Sequence, residues 1–107
     1  MRFFRLDEHH ELLPATFEEA AVILADLPSR TVGADPLPDG RRILTVFLPI
    51  PQCSTGPGGA ALDACFETTA IGGEEHEILE RYKSWTEAEA GHRRWLGLLT
   101  AQARGLS

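Results

Sequence analysis

The run "RRILTVFLPI" at residues 41–50 constrains this chain more than any other segment. It is rich in β-branched and aromatic residues, so it reads as a strand. Its side chains then divide, with Leu44, Val46, Leu48 and Ile50 on one face and Ile43, Thr45 and Phe47 on the other. Both sets are largely apolar, which predicts a central strand covered on both sides. A helix is expected as one cover and a second copy of the chain as the other. Ile43, Thr45 and Phe47 are therefore the expected interface residues of a homodimer.

The neighbouring segments supply the partners of this strand. "RFFRL" (2–6) reads as a short edge strand. Thr16-Phe17-Glu18-Glu19 is a capping box, and Phe17, Ala20, Ala21, Leu24 and Leu27 follow on one helical face until Pro28 ends the run. Residues 30–34 form another strand, joined to the central one by "DPLPDG", whose Pro-Asp-Gly is a turn signal. "PQCSTGPGG" (51–59) is a loop by composition. "DACFETTAIGG" (63–73) is a strand, and "EHEILERYK" (75–83) returns on it as a hairpin, with a short helix as the alternative.

The last helix begins at Ser84, where Ser84-x-x-Glu87 is a second capping box. Trp85, Ala88, Trp95, Leu96, Leu99 and Ala103 fall on one face, and the missing member of that stripe is His92. The expected fold is a single α+β domain over residues 1–107. It has an antiparallel sheet of four or five strands, a short N-terminal helix, and a long C-terminal helix packed on one face.

Composition limits the function. At 107 residues the chain has the size of one domain, large enough to bury a core without disulfides or metal. Its net charge of −6 argues against a basic face that tracks phosphates, so no direct nucleic-acid contact is expected. Nine of its ten basic residues are Arg, with Lys83 the exception, and it has no Asn. That bias fits a GC-rich genome and carries no mechanism. No apolar run is long enough to span a membrane. The opening "MRFFRLDEHHELL" is broken by Asp7 and Glu8 and lacks the order of a signal peptide. Cys53 and Cys65 show no Cys-x-x-Cys spacing, so a cytoplasmic location with reduced thiols is expected.

Three places could carry chemistry. Glu89-x-x-His92 matches half of a di-iron motif, but such sites need two copies and further glutamates on facing helices. The favoured reading is a core histidine that hydrogen-bonds a strand or Glu89; a metal role and a ligand contact are the alternatives. His9-His10-Glu11 and Glu74-Glu75-His76-Glu77 sit among charges and read as solvated, with a shared metal site as the alternative. Neither a zinc spacing nor a phosphate-binding loop is present, the Gly-rich "STGPGG" lacking the Lys-Ser/Thr that would follow. No metal and no cofactor are expected. Glu67 is unusual as a carboxylate inside an apolar strand. It shares a face with Thr69, and either pairs with Arg42 or Arg81 at the surface or serves as a pocket carboxylate with Arg81 as partner. Glu67, Thr69, Arg81 and His92 are the candidate ligand-binding residues.

The segments "LTVFL" (44–48), "FETTAIGG" (66–73), "ERY" (80–82) and "SWTEAEAGH" (84–92) resemble a family of small uncharacterised proteins that recurs in bacteriophage and prophage genomes, especially of actinobacteria. The resemblance covers roughly residues 41–95. It departs from the family pattern after "TVFL", where a Gly, an Asp and a His are replaced by "PIPQCSTGPGGAALDAC". It also departs at residues 66–69, where Phe-Glu-Thr-Met becomes Phe-Glu-Thr-Thr. The resemblance implies a phage or mobile-element setting and no reaction, and it keeps Glu67 and His92 as family-pattern positions.

The function expected from all this is a non-catalytic binding protein of phage or mobile-element origin. It would be a counter-defence inhibitor of the anti-CRISPR kind, acting by contact with a host or phage protein through its acidic surface. The alternative is a protein that sequesters a small ligand, such as a nucleotide signal, on the open sheet face. A small enzyme using Glu67 and His92 as an acid/base pair is the third reading, and a structural virion component the fourth.

Overall fold

The computed structural model describes residues 2–55, 61–72 and 76–105. The chain opens with a two-stranded hairpin, β1 (Phe3–Leu6) and β2 (Leu12–Ala15), followed by α1 (Phe17–Ala25) and a single turn, α2 (Leu27–Arg30). Then come β3 (Thr31–Pro36), β4 (Arg42–Thr55), β5 (Ala61–Ile71) and β6 (Glu77–Tyr82), and the chain closes with α3 (Trp85–Ala103). β3 to β6 form one antiparallel four-stranded sheet in sequence order. Short connections between antiparallel neighbours need no crossover, so the meander follows from the turn signals. The fold is α+β, with the long C-terminal helix lying on the sheet.

Several expectations are corrected. "RFFRL" is not an edge of the main sheet; β1 pairs only with β2, a strand the sequence reading missed, through Phe3↔Ala15 to Leu6↔Leu12. Phe4, Leu6 and Leu12 pack this hairpin against the core cluster of Phe47, Cys65, Phe66, Tyr82 and Ala88. Residues 51–55 of the expected loop continue β4, with Thr55 opposite Ala61; residues 56–60 lie outside the described ones. The segment 77–82 is a strand, and its uneven alternation has a cause. A register shift between Thr68 and Thr69 leaves Leu79 as an extra residue on β6, which then packs beside Leu37, Ile43 and Leu99.

The register also decides which face is covered. Thr45 lies opposite Gly33 and Thr68, Ile43 opposite Asp35 and Ala70, and Phe47 opposite Phe66. Directly opposed residues point to the same side, and this is the side that α3 covers. Ile43, Thr45 and Phe47 are only 0%, 0% and 1% exposed. The expected interface residues are therefore interior residues of the chain itself. Leu44 and Val46 face the other way, so the helix takes the face that carries Ile43, Thr45 and Phe47. With both faces apolar, alternation alone could not tell which one takes the helix.

Both helix starts follow the sequence. Thr16 Oγ1 accepts from the Glu19 amide at 3.1 Å while the Thr16 amide donates to Glu19 Oε1 at 3.0 Å, a complete capping box. At α3, Ser84 Oγ accepts from the Glu87 amide at 3.1 Å, but the Glu87 carboxylate takes the Lys83 amide instead of closing the box. Helix α3 buries Ala88, Gly91, His92 and Leu99. A buried Leu such as Leu99 contributes about 1.5–3 kcal/mol, so this stripe holds the helix down.

Candidate functional site

The sequence candidates separate into two groups on opposite sides of the sheet. Glu67, Thr69 and Arg81 come together on the face turned away from α3. Arg81 stands opposite Glu67 in the β5–β6 register and donates from Nε to Oε2 at 3.2 Å, while Thr69 donates to Oε1 at 3.3 Å. Both charged side chains are partly exposed, so the pair contributes about 1 kcal/mol at most. The three residues satisfy one another, and no unpaired charge is left to draw a ligand.

His92 lies on the opposite side, 5% exposed under α3. Its Nε2 is 2.7 Å from Asp35 Oδ2 on β3, and its Nδ1 is 2.7 Å from Thr45 Oγ1 on β4. The hydrogen-bonded chain continues from Thr45 Oγ1 to Thr68 Oγ1 on β5 at 2.6 Å, and from there to Tyr82 Oη on β6 at 2.9 Å. One line of polar atoms thus ties α3 to all four strands. Thr45 and Thr68 are completely buried, and among the described residues no buried side-chain polar atom lacks a partner. Such full satisfaction is the condition under which a buried polar network holds a structure in one arrangement.

The chemistry fixes the direction of these bonds. An ionised Asp35 can only accept, so the ring proton facing it sits on Nε2. With a neutral ring, Nδ1 accepts from the Thr45 hydroxyl, Thr45 accepts from Thr68, and Thr68 accepts from Tyr82. A doubly protonated ring would donate at Nδ1 as well and reverse every hydroxyl. Burial, above all, raises the Tyr82 pKa, with the Thr68 hydrogen bond opposing and the Glu80 charge adding to the rise. Glu80 is itself held by Arg94 and by Trp95 Nε1–H, the latter at 2.9 Å.

Two glycines make room for this line. A Cβ at Gly33 would stand 2.7 Å from the His92 Cδ2, and one at Gly91 would overlap the Tyr82 ring at Cε1, Cζ and Oη. Gly33 lies in the strand beneath the imidazole, and Gly91 in the helix above the phenol. Close approach, not backbone freedom, is what these two positions require.

The arrangement answers the question raised by Glu89-x-x-His92. Both ring nitrogens of His92 are engaged by Asp35 and Thr45, while Glu89 is exposed on the outer side of α3. Among the described residues no three His, Cys, Asp or Glu side chains are grouped as a metal ion would need; Glu74 and Glu75, weighed beside His76, lie outside the described residues. Glu67 and His92 are separated by the sheet and do not form an acid/base pair. Thr45 next to His92 superficially matches a nucleophile beside its base, but its hydroxyl is 0% exposed and no substrate reaches it.

Cys65 is similarly enclosed. Burial pushes its thiol up to about 11 from an ordinary 9.0, with Arg2 opposing. The folded state thus favours the neutral thiol. Its contribution is complete below about pH 9 and is lost as pH rises toward 11; Tyr82, also raised, acts in the same direction. Urea midpoints should therefore fall between pH 9 and 11, and Cys65→Ala should flatten the first part of that fall. A midpoint independent of pH over this range would contradict the burial of both groups.

Asp35, Thr68 and Tyr82 were missed from the sequence. Asp35 reads there as part of the "DPLPDG" turn, and the two hydroxyls meet only once the register is known. Phe17, Val22 and Leu24 of α1 are 64%, 71% and 45% exposed, and Leu27 of α2 is 43% exposed. Only Ala20 of α1 is buried, with Ile23 packed against the core.

A four-stranded meander under one long helix, with a terminal hairpin against its end, is the class of domain that this geometry defines. Comparison with protein-family models, with curated proteins and with solved structures gave no match. No described helix is long and apolar enough to cross a membrane.

Proposed function

We propose that this chain is a non-catalytic binding protein of phage or mobile-element origin, which acts in the bacterial cytoplasm by contact with another protein. The observation that carries this reading is the apolar surface of α1 and α2. Isolated exposed apolar residues are ordinary, but α1 and α2 expose Phe17, Val22, Leu24 and Leu27 within eleven residues of a chain of charge −6, with Phe17 and Leu24 on one side of α1 and Val22 on the other. Glu18, Glu19 and Asp26 interrupt and border them. A short helix of this kind fits an apolar groove with a basic rim on the partner. Inhibition of a host defence protein is the role that joins such a surface to the phage resemblance. The self-satisfied His92 line and the self-paired Glu67 group favour this reading over catalysis and over ligand capture on the sheet.

Immobilised protein in a bacterial lysate, at about 50 mM and about 500 mM salt, tests the proposal. A partner should be retained at low salt, released at high salt, and lost from a Val22→Glu/Leu24→Glu chain that melts like the wild type. Identical proteins on wild type and variant, or none on either, would count against it.

A further inference from the structure

We infer that the hollow between the β1–β2 turn, α1, α2 and β4 is a binding site for a small, singly charged organic anion, a carboxylate with an apolar body. This goes beyond the proposed protein contact, which uses the outer side of α1. Leu6, Ile23 and Phe47 supply an apolar floor, and Asp7, His10 and Arg30 line the polar part of a cavity of about 240 Å³. An apolar cavity of about 150 Å³ holds benzene, so a phenyl-sized body with a carboxylate fits.

Arg30 is the first argument. It is half-buried, and burial works against its charge. Its Nε donates to the Leu24 carbonyl at 3.3 Å and its Nη1 to the Phe47 carbonyl at 3.4 Å. Among the described residues no carboxylate pairs with it, and Nη2 has no hydrogen bond. A guanidinium fixed by two carbonyls with one edge unused is prepared for an oxyanion. Asp7 shares the hollow with its Oδ1 taken up by the His9 and Glu11 amides, and its charge disfavours a dianion more than a monoanion.

His10 is the second argument. It adopts φ 63°, a left-handed conformation that favours Gly or Asn at the tip of a hairpin. The turn is built for it: Asp7 Oδ1 accepts from the His9 and Glu11 amides at 2.7 and 3.0 Å, and the His10 amide donates to the Asp7 carbonyl at 3.0 Å. The imidazole stacks on Trp85 at a centroid distance of 3.7 Å and an angle of 9°. The turn bonds and the Trp85 stack together hold the imidazole at the rim of the hollow.

Phenylacetate, titrated into the whole chain and followed by ¹H–¹⁵N NMR, tests the site. The Trp85 indole, the Arg30 side chain and the Leu6 and Ile23 amides should shift together and saturate, while the Trp95 indole stays in place. Benzyl alcohol, which lacks the charge, should bind at least about tenfold more weakly, and so should phenylacetate to Arg30→Gln. Arg30 also braces α1, so His10→Gly serves as a second variant: glycine adopts the same left-handed φ and keeps the turn, so the chain should still fold yet bind more weakly. Shifts that grow linearly without saturating, equal binding of benzyl alcohol, or unchanged affinity in a well-folded His10→Gly chain would each overturn the inference.

Discussion

Gly91→Ala should destabilise the chain by about 2–3 kcal/mol, although it improves the helix locally. Alanine inside a helix is favoured over glycine by about 1 kcal/mol, so a merely local effect would be a gain. The added Cβ, however, would occupy the space of the Tyr82 ring. That ring is 5% exposed and its hydroxyl is held by Thr68, so it cannot swing aside without breaking the buried line. Overpacking of this kind costs about 1–3 kcal/mol and the lost hydrogen bond about 1 kcal/mol more. The control is on the same helix. Gly97 is exposed and a Cβ there meets nothing within 4 Å, so Gly97→Ala should stabilise by up to about 1 kcal/mol. Urea denaturation checks both, through opposite shifts of the midpoint at a constant slope.

The second large effect is expected at His92. His92→Ala removes a buried ring that fills the space over Gly33 and leaves the Thr45 hydroxyl without its acceptor. Loss of a buried aromatic side chain costs about 3–5 kcal/mol and an orphaned buried hydroxyl about 1–3 kcal/mol, so at least about 4 kcal/mol is expected. For a domain whose whole stability is about 5–15 kcal/mol this is a large fraction. His92→Asn should recover part of the loss, since its carbonyl can accept from Thr45 but its amide falls short of Asp35. Thr68→Val preserves shape while breaking the line in its middle, and about 1–3 kcal/mol is expected. Because Thr45 and Thr68 share one bond, the Thr45→Val/Thr68→Val pair should cost less than the sum of its members. Additive losses in that cycle would mean that the two hydroxyls do not act together.

Local chemistry made parts of this fold readable in advance. Both helix starts follow from a Ser or Thr three residues before a Glu, and the α3 stripe placed His92 toward the core because it occupies the vacant position between Ala88 and Leu96. What local pattern does not contain is the choice between alternatives that only tertiary packing makes. The strand "ILTVF" is apolar on both sides, so alternation alone does not say which face takes the helix. α1 carries apolar residues around most of its circumference, and of these Ala20 is buried, Ile23 packs on the core and Phe17 lays its ring edge against Phe3 of the hairpin. Asp35 and His92 are 57 positions apart, and nothing in either neighbourhood announces the pair. Gly91 looks like an unfavourable residue in mid-helix until the Tyr82 ring is placed beneath it.

The candidate site was legible to a similar degree. Glu67, Thr69 and Arg81 do meet, as alternation and hairpin pairing require. Their joining to His92 fails because the sheet itself stands between them. The surface reading depended on exposure, which depends on what neighbours cover, and a single sequence does not report that.

His92 is a structural member of one continuous hydrogen-bonded line. Long-range ¹H–¹⁵N NMR of the histidine rings tests it most directly. Once the His92 ring is neutral, its proton should be found on Nε2, and the Thr45 and Thr68 hydroxyl protons should be visible through slow exchange with water. A proton on Nδ1, with threonine hydroxyls that exchange too fast to be seen, would mean that the line does not exist and would return His92 to the list of groups available for chemistry.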